Sequence, residues 1–427
     1  MLSKFIHETT NFIYLVDRKI RERIDYQKKL QVVSLPQNQL NPNEITSNPN
    51  SKGNVLLSYP IEPFLLKEGK ALPNDHTWYL EVHQIAGAFL DLGYRVDVIQ
   101  FHNDKFRPEK HYDFFVDIRD RLEALSPYIN EDCIKILHVD IANMIFRNAA
   151  ECNRLLHLQQ RKGTTLRPKR YEVPNLGIEY ADCATVLGND FTCGTFKYAG
   201  KPLYRVPILT SVSYPWMGDK DFSAIRKNFL WLGSGALVLK GLDLVLEAFA
   251  EMPEYHLTVC GPINTDKAFE QAFYEELYET PNIHTYGWID VTSPNFTEVV
   301  RNCLGLVYPS ACEGQSGAAI TCIKAGLIPI ISYETGIDVD GFGVILNNSS
   351  IEEIKATVTR VSRLPEAELK NMSRMGWEYA DANHTPEKFR NAYRQAIEQI
   401  IVDCGSKNST PTSFSTNQQK VNYSRVS

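Results

Sequence analysis

The segment VYPSACEGQSGAAITCIKAGLIPIIS, residues 307–332, holds most of what the chain says about its fold. An apolar strand closes at Pro309-Ser310 and a glycine-bearing loop follows. A helix then runs to Ala325-Gly326, where glycine suits the C-terminal cap. The continuous apolar run IPIIS reads as a second buried strand. Strand, helix and strand in this order form a parallel α/β unit, and in open parallel sheets ligands lie beyond the carboxyl ends of the strands. Glu313 stands at such an end, beside Gly314 and Gly317. A carboxylate next to closely approachable backbone amides suits a polyhydroxyl ligand, because it accepts from hydroxyls while the amides donate. An acid that merely caps the helix is the competing reading.

A second strand-loop-helix turn lies upstream in LWLGSGALVLKGLDLVLEAF, residues 230–249. A dinucleotide fingerprint requires a third glycine, where this chain has Val238. It also requires an acidic residue after the next strand, where the chain has Cys260-Gly261. A Walker loop requires Ser or Thr after the lysine, but Gly241 follows Lys240. What remains is a flexible loop with Ser234 and Gly235, then Lys240 entering a helix. A full cation beside the free N–H groups of a helix start suits a diphosphate leaving group. A solvated surface lysine is the alternative.

Working outward, strands and helices alternate on both sides of an irregular, proline-bearing crossing, PILTSVSYPW at residues 207–216. Before it, GNVLLSYP, RVDVIQF, DFFVDI, CIKILHV and CATVLG read as strands, and YLEVHQIAGAFLDLGY reads as a helix. After it come NFLWLG, YHLTVCGP, NIHTYGW, LGLVYPS and IPIISY with helices between them. The expectation is an α/β protein of two facing, doubly wound, Rossmann-like parallel-sheet domains, residues 53–210 and 211–385, with a terminal helix at 386–403. Residues 1–52 read as an amphipathic helix with a Pro/Asn/Ser-rich linker, and residues 404–427 as a disordered tail. The helix is basic on its polar side and suits either packing on the protein or peripheral contact with a membrane surface.

The chain of 427 residues has a formal net charge of -6 and so offers no general basic field for nucleic acid. Its nine cysteines include no CxxC pair, which argues against a zinc knuckle or disulfide framework. No apolar run approaches the roughly 20 residues needed to span a bilayer, and the N-terminus lacks the form of a secretory signal. A cytoplasmic location is the expectation.

Residues 226–402 resemble the C-terminal domain of a GT-B glycosyltransferase of the large retaining group called family 4. The likeness rests on Lys240-Gly241, Cys260-Gly261-Pro262, Tyr286-Gly287-Trp288, Tyr308-Pro309-Ser310, Glu313-Gly314, Ala325-Gly326 and Pro329-Ile330-Ile331, in family order and spacing. The resemblance implies a nucleotide-sugar donor site made of Ser234, Gly235, Lys240, Gly261, Gly287, Trp288, Glu313, Gly314, Gln315, Ser316, Gly317 and Thr321. It is looser in the N-terminal half, where His76-Thr77 opens a helix toward the cleft. There His138, ending IKILHV, takes the place of a histidine near the transferred sugar, with Asp140 close behind.

The sequence departs from the family at two positions. The family arginine, five or six residues before the lysine, is Gly235 or Ser234 here. The second glutamate of an E-x7-E pair is Thr321. Arg205, Lys220, Arg226 and Lys227 are the cations near the crossing that could replace the arginine. The helical stretch at residues 147–163, with Arg147, Arg154, Arg161 and Lys162, reads as a solvated face or a docking site for an anionic acceptor.

The resemblance implies a retaining transfer of a sugar from a nucleotide diphosphate sugar to a hydroxyl acceptor, such as a glycan or lipid-linked saccharide in polysaccharide biosynthesis. His138, Glu313 and Lys240 would be the catalytic residues, and no metal or other cofactor would take part. A catalytically impaired nucleotide-sugar-binding or scaffold protein is the alternative from another class. Epimerase and dehydrogenase readings lack, respectively, an acid/base pair and an intact fingerprint.

Overall fold

The structure is a computed structural model that describes residues 30–35, 51–66, 72 and 77–407. In its first half, β1 (Val32–Leu35), β2 (Asn54–Ser58), β3 (Arg95–Ile99), β4 (Phe114–Asp117), β5 (Ile134–Val139), β6 (Cys183–Leu187) and β7 (Leu203–Val206) form one sheet in the order β1-β3-β2-β4-β5-β6-β7. All pair in parallel except β1, which runs antiparallel to β3 along the edge. In the second half, β8 (Asn228–Leu232), β9 (His256–Cys260), β10 (Ile283–Gly287), β11 (Gly305–Tyr308), β12 (Ile328–Ser332) and β13 (Val344–Leu346) form a wholly parallel sheet in the order β10-β9-β8-β11-β12-β13. Helices cover these sheets, which is why strands such as Val55–Leu57, Phe114–Val116 and Phe229–Trp231 are apolar and buried without alternation. The expected α/β architecture of two doubly wound sheets is present.

Each sheet reverses its strand order once. The chain steps outward from β2 to β3 and then resumes at β4 on the other side of β2. In the same way it runs β8, β9, β10 and resumes at β11 beside β8. Carboxyl ends at such switch points leave a crevice between diverging loops. The loops after β8 and β11 carry Lys240 and Glu313, and those after β2 and β4 carry Tyr59 and Arg119.

Two details differ from the sequence reading. Residues 32–35, expected to end the N-terminal helix and begin a linker, form β1, where Ser34 Oγ donates to Asp97 Oδ1 at 2.8 Å. Four residues are too few to show a strand's period against a preceding amphipathic pattern. The terminal helix spans Pro386–Lys407, past the boundary expected at 403. The rest of the amphipathic segment, the Asn/Pro-rich stretch at 36–50, His76 and the tail beyond 407 lie outside the described residues.

Contacts at the crossing and along one long helix join the halves. Ile208 N–H donates to Gln315 Oε1 at 2.7 Å, and Thr210 N–H donates to the His384 carbonyl at 3.1 Å. The Pro386–Lys407 helix lies on the Trp78–Asp91 helix, where Arg390 pairs with Asp91 at 2.6 Å. Across the domain boundary the helix Met144–Lys162 reaches the second domain's helices and the loop after β11. Arg154 donates to the Pro309 carbonyl at 2.8 Å, Arg161 pairs with Asp243 at 2.6 Å, and Lys162 pairs with Glu276. This helix is neither a solvated face nor a free basic surface, because Arg147 is also engaged, by Glu172.

Candidate active site

Lys240 arrives at the cleft on the loop that follows β8. Gly241 then starts the Leu242–Ala250 helix with φ +72°, a left-handed conformation that glycine adopts without penalty. A Cβ there would also come within 2.6 Å of Pro309, so the Lys-Gly pair is a steric requirement of the turn. The Lys240 ammonium is nearly buried and donates to Tyr308 Oη and to Glu313 Oε1, both at 3.0 Å. Tyr308 Oη donates to the same carboxylate oxygen at 2.8 Å, and Ser310 Oγ does so at 3.3 Å. Burial, reinforced by the Glu313 charge, pushes the Tyr308 phenol well above its ordinary range, so it stays a neutral donor. Lys240 and Glu313 are thus in contact, joined by a tyrosine at the end of β11.

Lys240 and Glu313 line a cleft of about 300 Å³ between the domains, with Tyr308 and Ser310 buried behind them. Ser234, Lys240, Gly261, Trp288, Glu313, Gln315, Ser316, Gly317 and Thr321 all border it. Trp288 is 61% exposed at its mouth, an apolar face open to a stacking partner. Gly235, Gly287 and Gly314 do not border it. A Cβ on Gly235 would meet nothing within 4 Å, and Gly287 is engaged through its carbonyl, which accepts from Gly261 N–H at 2.8 Å. Gly314 packs on the backbone of Asp140 in the other domain.

Several loop groups expected to face a ligand already have protein partners. Gln315 holds the crossing segment through Ile208. Ser316 caps the following helix through Ala319 N–H, and its own amide donates to the Thr335 carbonyl. Thr321 Oγ1 donates to the Gly317 carbonyl at 2.8 Å while still bordering the cleft.

The opposite wall comes from the first domain: Thr77, Trp78, Glu81, Arg119, Asp140 and Ile141. Asp140 takes Arg119 Nη1 at 2.6 Å and Trp78 Nε1 at 2.9 Å. Burial opposes its charge, but the Arg119 guanidinium outweighs burial and holds the carboxyl at about 2. Glu81 accepts from Tyr59 Oη at 2.8 Å; burial raises its carboxyl to about 7, with hydrogen bonds from Thr77 and Tyr59 acting the other way. The cleft therefore sets a fixed carboxylate, Asp140, beside a carboxyl that titrates near neutrality.

His138 is not on this wall. It is fully buried, its Nδ1 lies 2.9 Å from Thr185 Oγ1, and the rings of Phe389 and Tyr393 sit 6.5 and 5.6 Å away. Burial lowers the imidazole to about 4, which leaves it neutral. The terminal helix, far away in sequence, covers one face of the ring, and Tyr59 lies 5.9 Å away. The cations named as stand-ins for the family arginine lie elsewhere. Arg205 bonds the Gly188 carbonyl, Asp190 and Asp338; Lys220 donates to the Val300 and Cys303 carbonyls; Lys227 lies over the Tyr255 ring. Arg226 does not border the cleft either.

Sequence reasoning missed Glu81, Arg119, Tyr308 as a linking donor, and Arg170, which also borders the cleft. Arg119, just past the end of β4, obeys the strand-end rule and was findable. Arg170 lies in an irregular stretch without periodicity. Among the described residues no group of acidic, histidine and cysteine side chains is arranged to hold a metal ion, and no helix is long and apolar enough to cross a membrane.

The two facing sheets with a cleft at paired switch points make the GT-B fold, and solved structures share it. Sucrose-phosphate synthase from Thermosynechococcus elongatus superposes with a TM-score of 0.58 at 14% identity, covering 82% of this chain and 99% of its own. The α,α-trehalose 6-phosphate synthase from Burkholderia multivorans gives 0.53 at 10% identity, covering 84% and 100%. Anabaena HepE, solved in complex with UDP and glucose, gives 0.52 at 10% identity, covering 82% and 99%. No family model matches the chain, and no curated protein matches it in sequence. The neighbours are GT-B glycosyltransferases, and at these identities the likeness is one of fold.

Proposed function

We propose that the protein is a retaining glycosyltransferase that moves a sugar from a nucleoside diphosphate sugar to a hydroxyl acceptor. The observation that carries this reading is the Lys240–Tyr308–Glu313 cluster at the switch point of the second sheet, opposite Asp140, just past β5, and Glu81, in the first turn of the Trp78–Asp91 helix. Lys240 would neutralise the departing diphosphate, with the start of the Leu242–Ala250 helix nearby. Glu313 would accept from sugar hydroxyls, Thr321 would meet the ribose, and Trp288 with Gly261 would border the base. The acceptor oxygen forms its bond to the anomeric carbon on the face from which the phosphate oxygen leaves. The acceptor proton passes to that phosphate oxygen, so the step needs neither a dedicated base nor a metal ion. Closure of the two domains would exclude water from the donor. That HepE was solved with UDP and glucose makes UDP-sugars the first donors to test.

The test is release of nucleoside diphosphate by the purified chain from UDP-, GDP-, ADP- and dTDP-sugars, with a panel of glycan and lipid-linked acceptors, with and without EDTA. Release that is acceptor-dependent and indifferent to EDTA is expected. Thermal stabilisation by a nucleotide sugar without release would instead support a binding or scaffold protein. The absence of the second glutamate at Thr321, and of an arginine at Ser234 and Gly235, favours that second reading. Neither stabilisation nor release with any donor would refute both.

A further inference from the structure

The donor domain lacks the arginine that its sequence pattern calls for, and a cation from the other domain borders the same cleft. Arg170 lies between the Met144–Lys162 helix and β6, in a segment anchored at both ends. The Glu151 carboxylate, itself 2% exposed, accepts from Lys169 N–H at 2.7 Å and from Arg170 N–H at 3.0 and 3.1 Å. The Lys169 ammonium crosses the boundary to Asp266 of the second domain at 3.2 Å. With its backbone fixed and its neighbour tied across the boundary, Arg170 is half-buried at the border of the cleft that Ser234 and Lys240 line from the other domain. Its charge is felt at the Tyr308 phenol, which bonds Lys240. Among the described residues its guanidinium has no ion pair or hydrogen bond. By contrast, Arg147, Arg154, Arg161, Lys162 and Lys169 of the same region are all engaged.

We infer that Arg170 is a donor-binding residue that grips the diphosphate from the first domain while Lys240 grips it from the second. The inference rests on the donor reading above and deepens it. A planar guanidinium matches phosphate oxygens in a way that Ser234 and Gly235 cannot. Because the two cations belong to different domains, the diphosphate bridges them. Binding of the diphosphate is then coupled to closure, which a pair of cations within one domain would not achieve. Arg170 and Lys240 face an anion that carries more charge once the sugar has left, so the bridge favours the departing diphosphate over the intact donor.

The experiment is calorimetric titration of the full chain, and of its Arg170→Ala, Arg170→Lys and Lys240→Ala variants. The ligands are UDP, GDP, ADP and dTDP, the matching monophosphates and nucleosides, and inorganic pyrophosphate. For the diphosphate that the native chain binds, Arg170→Ala should weaken affinity at least about tenfold, the loss expected for a charge-assisted contact. The nucleoside should bind as before, and Arg170→Lys should lie between. Pyrophosphate affinity should fall in parallel, and a melting scan of each variant separates lost contact from lost fold. Unchanged diphosphate affinity in Arg170→Ala, with tight binding by the native chain, overturns this inference and leaves the donor reading intact. An equal loss for diphosphate and nucleoside overturns it too, because a phosphate contact cannot act on a ligand without phosphate. If the native chain binds no nucleoside diphosphate, the donor reading fails and takes the inference with it.

Discussion

Gly314 measures how closely the two domains must fit. A Cβ placed there would lie 2.2 Å from the Asp140 carbonyl oxygen, 2.5 Å from its carbon and 2.9 Å from Ile141 N. All three are backbone atoms, so no side chain can swing aside. Retreat is also blocked behind Gly314, whose carbonyl accepts from Thr192 Oγ1 at 2.9 Å and would lie 1.7 Å from a Cβ on Gly336. An ordinary contact needs roughly 1.2 Å more than the space available. Gly314→Ala should therefore push Asp140 and the wall around it away from Glu313 by about that distance. Overpacking of this kind costs about 1–3 kcal/mol, a few degrees in melting temperature. A misplacement of about 1 Å across an active site can reduce turnover about a hundredfold. The assays are a melting scan and donor turnover beside Gly235→Ala, where a Cβ meets open space and stability should hold. If Gly314→Ala melts and turns over like the native chain, the contact between the Glu313 loop and Asp140 is wrong, and so is the cleft built on it.

The other predictions concern charge. Lys240→Ala and Glu313→Gln should each lower turnover at least about tenfold in the nucleotide-release assay, as expected for losing one electrostatic stabiliser; full activity in Lys240→Ala would end its diphosphate role. Glu81 has a folded-state pKa of about 7 against an ordinary 4.5, so between those values the folded protein holds a proton that the unfolded chain has lost. Stability should then fall as pH rises from about 5 to 8, by a few kcal/mol at most, and Glu81→Gln should flatten that decline in melting scans. Arg161→Ala strips a partner from Asp243, which is fully buried with Oδ1 unpaired. The half-exposed arginine limits the cost to about 1–3 kcal/mol in denaturant titrations, and adding Asp243→Asn should recover part of it.

The second sheet was readable from sequence because its strands are continuous apolar runs and its turns carry glycine where geometry demands it. Lys240-Gly241 is the clearest case: the left-handed start of the helix and the crowding by Pro309 both require the glycine. Strand-end position pointed to Glu313 and, loosely, Asp140, and both border the cleft. It misjudged His138, because position in a strand says nothing about which distant element covers that face, and the Pro386–Lys407 helix covers it. The Met144–Lys162 helix failed for the same reason. Its basic residues looked solvated because their partners, Asp243, Glu247, Glu276 and Pro309, lie on elements of another domain. β1 escaped because an edge strand of four residues has no pattern of its own.

The Lys240–Glu313 contact bears on how a donor would enter. Both groups are held ready by Tyr308 and Ser310, yet at 3.0 Å they neutralise each other. An incoming diphosphate must draw Lys240 away from Glu313, and incoming sugar hydroxyls must take its place on the carboxylate. A ligand that offers only one of these groups leaves the other partner unpaired in a nearly buried site, which is costly. A donor carrying both should therefore gain more than the sum of its parts. Free nucleoside diphosphate and free sugar, titrated separately and then together, should bind cooperatively. Simple additivity would mean that the two side chains act independently and that the pairing at 3.0 Å has no part in recognition.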